Sequence, residues 1–348
     1  MIAGSIEELD ENSQFVRLKN SFPKHDVYAK LEGLNTAGSV KLKTAIALVD
    51  SLEKLHGLQP GGWVVESSSG SLGIALSGVC ARRGYKLTIV TDVNANSRSI
   101  SHMRALGAEV EVVQSLDAAG GFLGTRLARV RELVEMPGGP LWTNQYENVA
   151  NPEVHSKKTY RAIVEELGDP DYLFVGAGTT GTLMGVSRAV MKRGSCTKVC
   201  AIDSTGSVTF GGAPSRRYIP GLGASVKPPI FDEKFPLKRY YIDEIDTVRQ
   251  CRRIAQVEGF LPGGSTGTVL AAFDALRDKI PEGSRVVIIA PDLGERYLDG
   301  VYNDDWVMEN FGESAFNYAI RPVAHEVKET SVSRYSTRSY HSVAILYQ

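Results

Sequence analysis

Lys41 closes the run Gly38-Ser39-Val40-Lys41, and two loops rich in Gly, Ser and Thr lie far downstream. They are Gly176-Ala177-Gly178-Thr179-Thr180-Gly181-Thr182 and Gly263-Gly264-Ser265-Thr266-Gly267-Thr268. A lysine held partly desolvated near a helix start has a lowered pKa and a usable amine. A glycine-rich turn into a helix offers free N–H groups to a phosphate, and Thr179, Thr180 and Thr182 add hydroxyl donors around Gly178 and Gly181. Ser265 offers a neutral hydroxyl to a ring nitrogen. One lysine, one phosphate cradle and one ring contact point to pyridoxal phosphate, held on Lys41 as a Schiff base and acting as an electron sink. A hydroxyl at the ring nitrogen leaves that sink moderate, which suits β-elimination and replacement. Lys43, two residues on, points elsewhere on the same helix.

Glu66-Ser67-Ser68-Ser69-Gly70-Ser71-Leu72-Gly73 lies between a strand and a helix. It reads either as a helix cap or as an anion site for a substrate carboxylate, and four serines in five positions exceed what one cap needs. The 176–182 loop has a competing reading. Gly176-x-Gly178-x-x-Gly181 follows a strand, and Asp203 ends the next one, 22 residues beyond Gly181. That spacing fits a dinucleotide fingerprint and a nicotinamide oxidoreductase, a reading that leaves Lys41, the serine loop and 263–268 without roles. Arg126 follows Gly120-Gly121 near a helix start. It is either a solvated helix arginine or a guanidinium aimed at a dianion.

The elements that must hold these residues alternate. Strands at Val27–Glu32, Trp63–Glu66, Leu87–Val90, Glu109–Val113, Tyr172–Val175, Val199–Ile202, Tyr240–Asp243 and Val286–Ala290 are interleaved with helices over 44–55, 72–84, 97–106, 122–134, 152–167, from the second loop to about 192, after Asp246, and 269–277. This predicts α/β architecture with two open, twisted, mostly parallel sheets flanked by helices, binding ligands where strands end. The expected division is an N-terminal segment 1–35 packed on the larger domain, a smaller domain 36–148, a larger domain 149–311, and a loosely docked tail 312–348 whose Ser/Thr/Arg-rich stretch Thr330–Tyr340 lacks an apolar period. The 348 residues carry a net charge of −1, which gives no basic field for nucleic acid or an anionic membrane. No apolar run suggests a membrane helix, and the acidic start is not a secretory signal. Four scattered cysteines read as reduced thiols in the cytoplasm, and six dispersed histidines ask for no metal.

With these segments in place the chain resembles the cysteine synthase family of fold type II, tryptophan synthase β-like, pyridoxal-phosphate enzymes, from about Ser13 to Val307. Lys30-Leu31-Glu32, Gly38–Lys41, the serine loop, the Gly/Thr loop, Gly263–Gly267 and Pro291-Asp292-Leu293-Gly294-Glu295-Arg296-Tyr297-Leu298 carry the resemblance. Phe22–His25, Gly120–Arg126, Asn144-Gln145-Tyr146, Gly206–Gly211 and Pro220–Ser225 resemble its N-(2-amino-2-carboxyethyl)-L-glutamate synthase branch, which joins O-phospho-L-serine to glutamate's amine on the way to 2,3-diaminopropionate and siderophores. The resemblance implies a homodimer acting on small amino acids. It implies Lys41 as catalytic base, Ser67, Ser68, Ser69, Gly70, Arg126 and Tyr146 at substrate, and Ser71 with the cofactor. Two positions depart from the family pattern: Leu42-Lys43 stands where Asp-Arg is usual, and Ser71 stands where an Asn meets the cofactor's phenolic oxygen. An aspartate-using relative, a sulfide-using cysteine synthase and a non-catalytic cofactor-binding protein are the other readings within this resemblance.

Overall fold

The computed structural model describes residues 2–10, 14–117 and 121–327. Gly120 and the tail beyond 327 lie outside the described residues.

Short β-branched runs form the strands, and amphipathic segments form the helices between them. β1 (Phe15–Arg17) and β2 (Asp26–Leu31) lead into α1 (Lys41–His56). There follow β3 (Trp63–Ser67), α2 (Ser71–Arg83), β4 (Lys86–Asp92), α3 (Ser97–Ala105), β5 (Glu109–Val113), α4 (Leu123–Glu135) and β6 (Leu141–Trp142). A helical run comes next: α5 (Ala150–Val154), a π-helical turn at His155–Thr159, and α6 (Tyr160–Leu167). The chain ends with β7 (Tyr172–Gly176), α7 (Gly181–Arg193), β8 (Lys198–Ser204), β9 (Lys238–Ile242), α8 (Glu244–Glu258), α9 (Gly264–Leu276), β10 (Arg285–Ala290), α10 (Asp304–Phe311) and β11 (Ala324–Glu326).

The strands make a seven-stranded sheet, β1-β2-β10-β7-β8-β9-β11, and a four-stranded sheet, β5-β4-β3-β6. The small sheet is parallel throughout, and the large one is antiparallel only where β1 and β11 join its edges. α9 is apolar on almost every side and buried along its length, so it lies inside the fold against β7, β8, β9 and β10 rather than on the surface. α7 packs in the cluster on the other face of the large sheet. α1 and α2 cover one face of the small sheet, and α4 covers the other.

Five expectations are corrected. α1 begins at Lys41, not Thr44, and α9 begins at Gly264, so most of the third loop is the first turn of a helix. The helix expected over 152–167 is interrupted by the π turn. Residues 2–10 do not follow β1 onto the large sheet. Arg83 of α2 draws Glu7, Asp50 and Glu53 into one ion cluster, with Nε to Glu7 at 2.9 Å, and that charge holds the N-terminal turn Ile6–Asp10 on the small-sheet side. Residues 312–327 are docked: β11 pairs with β9, Ala315 is fully buried, and Val323 N donates to Asp246 at 3.0 Å. Phe316, Ala324 and Val327 also pack, but each against a different cluster, which leaves no apolar period to read.

Candidate active site

The two sheets face each other across a cleft of about 460 Å³, lined by the ends of strands β3, β7 and β10 and the loops that follow them. A hollow of about 520 Å³ beside Phe22 and His25 is rimmed by the surface pair Lys24–Glu282 and has no comparable set of converging groups. The chemistry therefore belongs to the cleft.

Lys41 sits in it as the first residue of α1. Ser39 pairs with Asp292 in an isolated bridge, and Val40 N donates to Pro291 O at 2.7 Å, so the lysine segment is anchored on the end of β10. Burial of the amine pulls its pKa down from 10.5 to about 8, with buried Glu66 opposing the shift. Its Nζ lies 3.5 Å from Thr179 Oγ1. Lys43 turns away as expected and forms a buried ion cluster, Nζ to Glu32 at 2.8 Å, with Lys30 on the same carboxylate at 3.0 Å. No solvent reaches that cluster, so Lys43 is a structural cation.

The 176–182 loop connects β7 to α7. Thr180 has φ +64, an uncommon left-handed conformation for a residue with a side chain. It aims the free N–H groups of α7's first turn into the cleft. Thr180 Oγ1 is buried without a hydrogen-bond partner, as a hydroxyl built for a ligand would be. The glycines allow close approach: a Cβ on Gly181 would stand 2.2 Å from Asn151 Oδ1, and one on Gly178 3.1 Å from Gly221 O. Thr182 Oγ1 is 3.3 Å from His155 Nε2, which also meets Thr44 of α1 at 3.1 Å. Burial keeps His155 well below its ordinary pKa, so a neutral imidazole ties the lysine helix to the cradle. Ser265, in the first turn of α9, lines the same cleft. A lysine with a free amine, an orphaned hydroxyl, a helix N-terminus and a facing serine fit a phosphorylated aldehyde cofactor.

The dinucleotide alternative fails on Asp203. That carboxylate does not line the cleft. It is buried, accepts from Ser204 N at 2.8 Å, and burial raises its pKa to about 6. It is not available to a ribose.

The serine loop divides its work. Ser68 Oγ accepts from Gly73 N at 2.9 Å and Gly70 N at 3.3 Å, so Ser68 is a cap by contact. Ser67 Oγ is buried and unpartnered, and Ser69 is exposed at the cleft beside Gly70. Ser71 Oγ accepts from Arg296 Nη1 at 2.9 Å. Arg126, in the first turn of α4, pairs with Asp92 at 3.3 Å, is largely buried, and lines the cleft with Tyr146. The solvated-arginine reading is thus corrected. Tyr146 has its hydroxyl pKa raised by burial, with the Arg126 charge opposing.

Glu66, Gln145, His155, Arg217 and Arg296 were not singled out from sequence. Glu66 accepts from Ser67 N, Trp142 Nε1, Thr143 Oγ1 and Gln145 N at 2.6–3.2 Å, which fastens the serine loop to β6. Their signal is three-dimensional, since each acts across elements distant in the chain.

A family model described as pyridoxal-phosphate dependent enzyme matches residues 6–292. Among solved structures, an O-ureido-L-serine synthase is 29% identical with a TM-score of 0.81, over 90% of this chain and 97% of that one. A hydrogen sulfide-producing enzyme from Fusobacterium nucleatum is 29% identical with a TM-score of 0.79, over 85% and 100%. An O-acetylserine dependent cystathionine beta-synthase from Helicobacter pylori is 28% identical with a TM-score of 0.79, over 87% and 100%.

Proposed function

The chain belongs to the pyridoxal-phosphate dependent enzymes, and from that premise we propose that it joins O-phospho-L-serine to the amine of an amino acid, glutamate first and aspartate next. It is a β-replacement enzyme of the cysteine synthase type. The observation that carries the substrate reading is Arg126, a largely buried guanidinium fixed by Asp92 and lining the cleft with Tyr146.

Bound pyridoxal phosphate supplies the electron sink that makes the donor's α-proton acidic and its β-substituent labile. This chain's residues do the rest. The N–H groups and hydroxyls of 178–182 would hold the cofactor's phosphate, and Ser265 would meet its ring. The N–H groups and hydroxyls of the serine loop, Ser67 to Ser69 with Gly70, hold the donor carboxylate, while Ser68 also caps its helix. Lys41 Nζ takes the proton from Cα and later returns it. The Cβ–O bond breaks and phosphate leaves with the electron pair, met by Arg126 beside Tyr146. The acceptor nitrogen then forms the new bond to Cβ and loses a proton. The approach of the small-sheet side, about 36–148, to the large-sheet side, about 149–311, excludes water. The branch-like segments support a place in 2,3-diaminopropionate formation for siderophores, as a cytoplasmic homodimer.

Purified protein incubated with phosphoserine and glutamate, aspartate or sulfide, with products identified by mass, tests the reaction. Sulfide as the sole productive acceptor would make this a plain cysteine synthase. Arg126→Ala should raise KM for phosphoserine about 10- to 100-fold, the effect of a lost charge-assisted contact, and leave O-acetylserine nearly unaffected. Equal effects on both donors would refute the phosphate contact.

A further inference from the structure

Three anions need places in this reaction, and each has one: the cofactor phosphate at the 176–182 cradle, the donor carboxylate at the serine loop, and the leaving phosphate at Arg126. Two further guanidiniums line the cleft: Arg296 is tied to Ser71 Oγ and Ala37 O, and Arg217 lies on the opposite rim. Arg217 lines the cleft from the segment between β8 and β9 and makes no ion pair among the described residues. Its Nη1 donates to Gly206 O, and its Nη2 approaches Ser225 Oγ at 3.4 Å. The side chain therefore clamps both ends of the 206–225 loop. The loop is shaped around it. Gly206 and Gly223 have φ +90 and +80, and a Cβ on Gly223 would stand 2.6 Å from Arg217 Nε. A guanidinium has five N–H donors, and these two contacts use one from each Nη. Two buried carboxyls feel its charge without pairing with it. Asp203 is buried with its pKa raised to about 6. Glu244 is raised by burial and accepts from Tyr218 N and Ile219 N at 2.8–3.1 Å. The rim thus holds a positioned positive charge with spare donors, facing the cleft and in no ion pair among the described residues.

We infer that Arg217 is the specificity-determining residue for the acceptor, binding its side-chain carboxylate by the bidentate fork that suits a carboxylate. The inference rests on the proposed amino-acid acceptor and names the group that selects it. An uncharged acceptor, or sulfide, has nothing to offer this site.

The test uses the intact, cofactor-loaded protein with phosphoserine and either glutamate or glutamine, which differ only in the group Arg217 would read. Wild type should prefer glutamate by about 10- to 100-fold in kcat/KM. Arg217→Ala should bring the two acceptors together, with KM for phosphoserine and the rate of phosphate release within about twofold of wild type. Arg217→Lys, which keeps the charge without the fork, should retain part of the preference, and should read the site if the alanine variant loses its visible cofactor band. An alanine variant that still prefers glutamate, or that loses donor and both acceptors equally, overturns the role of Arg217. A wild type that makes no adduct with any amino acid overturns the proposed function, and the inference with it.

Discussion

The 176–182 loop and the 67–71 loop both carry the chain from a parallel strand into a helix N-terminus, β7 to α7 and β3 to α2, and both are dense in hydroxyls. Their surroundings differ. In the first, each glycine has close neighbours, with prospective Cβ contacts of 2.6 Å at Gly176 and 2.2 Å at Gly181. Ala177 is bonded on both sides, to Ile202 O at 2.7 Å and from Gly223 N at 3.0 Å. In the second, Gly70 has nothing within 4 Å and Ser69 is exposed. The proposed roles match this difference: a cofactor that stays would take the rigid seat, and substrates that come and go the open one. Tertiary packing, not the shared motif, sets the stiffness of each loop.

Lys41 joins the two regions, so its loss should have the largest effect. Lys41→Ala should lower turnover by about 10²–10⁴-fold or more and abolish the visible band; a retained band would place the linkage elsewhere. The lowered amine pKa also makes a stability statement. Below pH 8 the folded, cofactor-free chain carries a desolvated ammonium, and that cost is present in full. Between 8 and 10.5 only the unfolded chain binds the proton, so stability rises with pH. Cofactor-free Lys41→Met should therefore be more stable than wild type at pH 7, by about 1–3 kcal/mol, and urea titrations should show the gap closing above pH 8. A gap independent of pH would mean the amine is not desolvated.

A pair of glycine substitutions addresses stiffness directly. Gly181→Ala must displace Asn151, and overpacking of that kind costs about 1–3 kcal/mol. It should appear as weaker cofactor binding in a titration of the cofactor-free protein. Gly70→Ala meets open space, so cofactor affinity should hold while the new methyl raises KM for the donor. Equal losses of cofactor affinity would erase the distinction between the loops.

The docked C-terminal residues sharpen the comparison from another side. Phe311 and Ala315 belong to a cluster with Ile219 and Tyr297, and Tyr297 lines the cleft with Arg217. A chain ending at Asn310 should lose about 2–4 kcal/mol in urea and weaken acceptor use before cofactor binding. A chain ending at Val327 should match the full length. Equal behaviour of the two would show that 311–327 contribute nothing.

The sequence made the strands legible where β-branched residues run between turns, as in β5, whose limits match the expectation residue for residue. It missed β1, β6 and β11, which are two or three residues long and are held by neighbours rather than by their own pattern. The site's loops were legible because glycine and hydroxyl clusters at strand ends have few other uses. Their partners were not. Arg217 and Arg296 are ordinary basic residues until folding turns them into the cleft, and Thr180's left-handed backbone is set by packing. Ser68's cap and Ser71's contact occupy adjacent turns of one motif, which no spacing separates.

The smallest effect belongs to Ser71, and the structure changes its argument. A serine offers one donor where an Asn amide offers two. Here Ser71 Oγ is already the acceptor for Arg296 Nη1 at 2.9 Å, while Arg296 Nη2 donates to Ala37 O. Arg296 thus reaches from the segment after β10 to both small-sheet elements that flank Lys41. The backbone is fitted to it, since Gly38 has φ +64 and a Cβ there would stand 2.9 Å from Nη2. Ser71→Asn adds bulk where the guanidinium lies and brings an amide oxygen that can replace the hydroxyl as acceptor. A hydrogen bond to a charged group contributes about 1.5–3 kcal/mol, most of which the new oxygen recovers. Cofactor affinity and the lysine linkage should survive. The amide's donors should instead move the visible spectrum and its pH dependence. Arg296→Lys supplies the control: it keeps the charge, loses the fork and leaves Ser71 free, so its spectrum should shift differently. Identical spectra in wild type and both variants, with unchanged turnover, would reduce Ser71 and Arg296 to a structural tie between the two sides of the cleft.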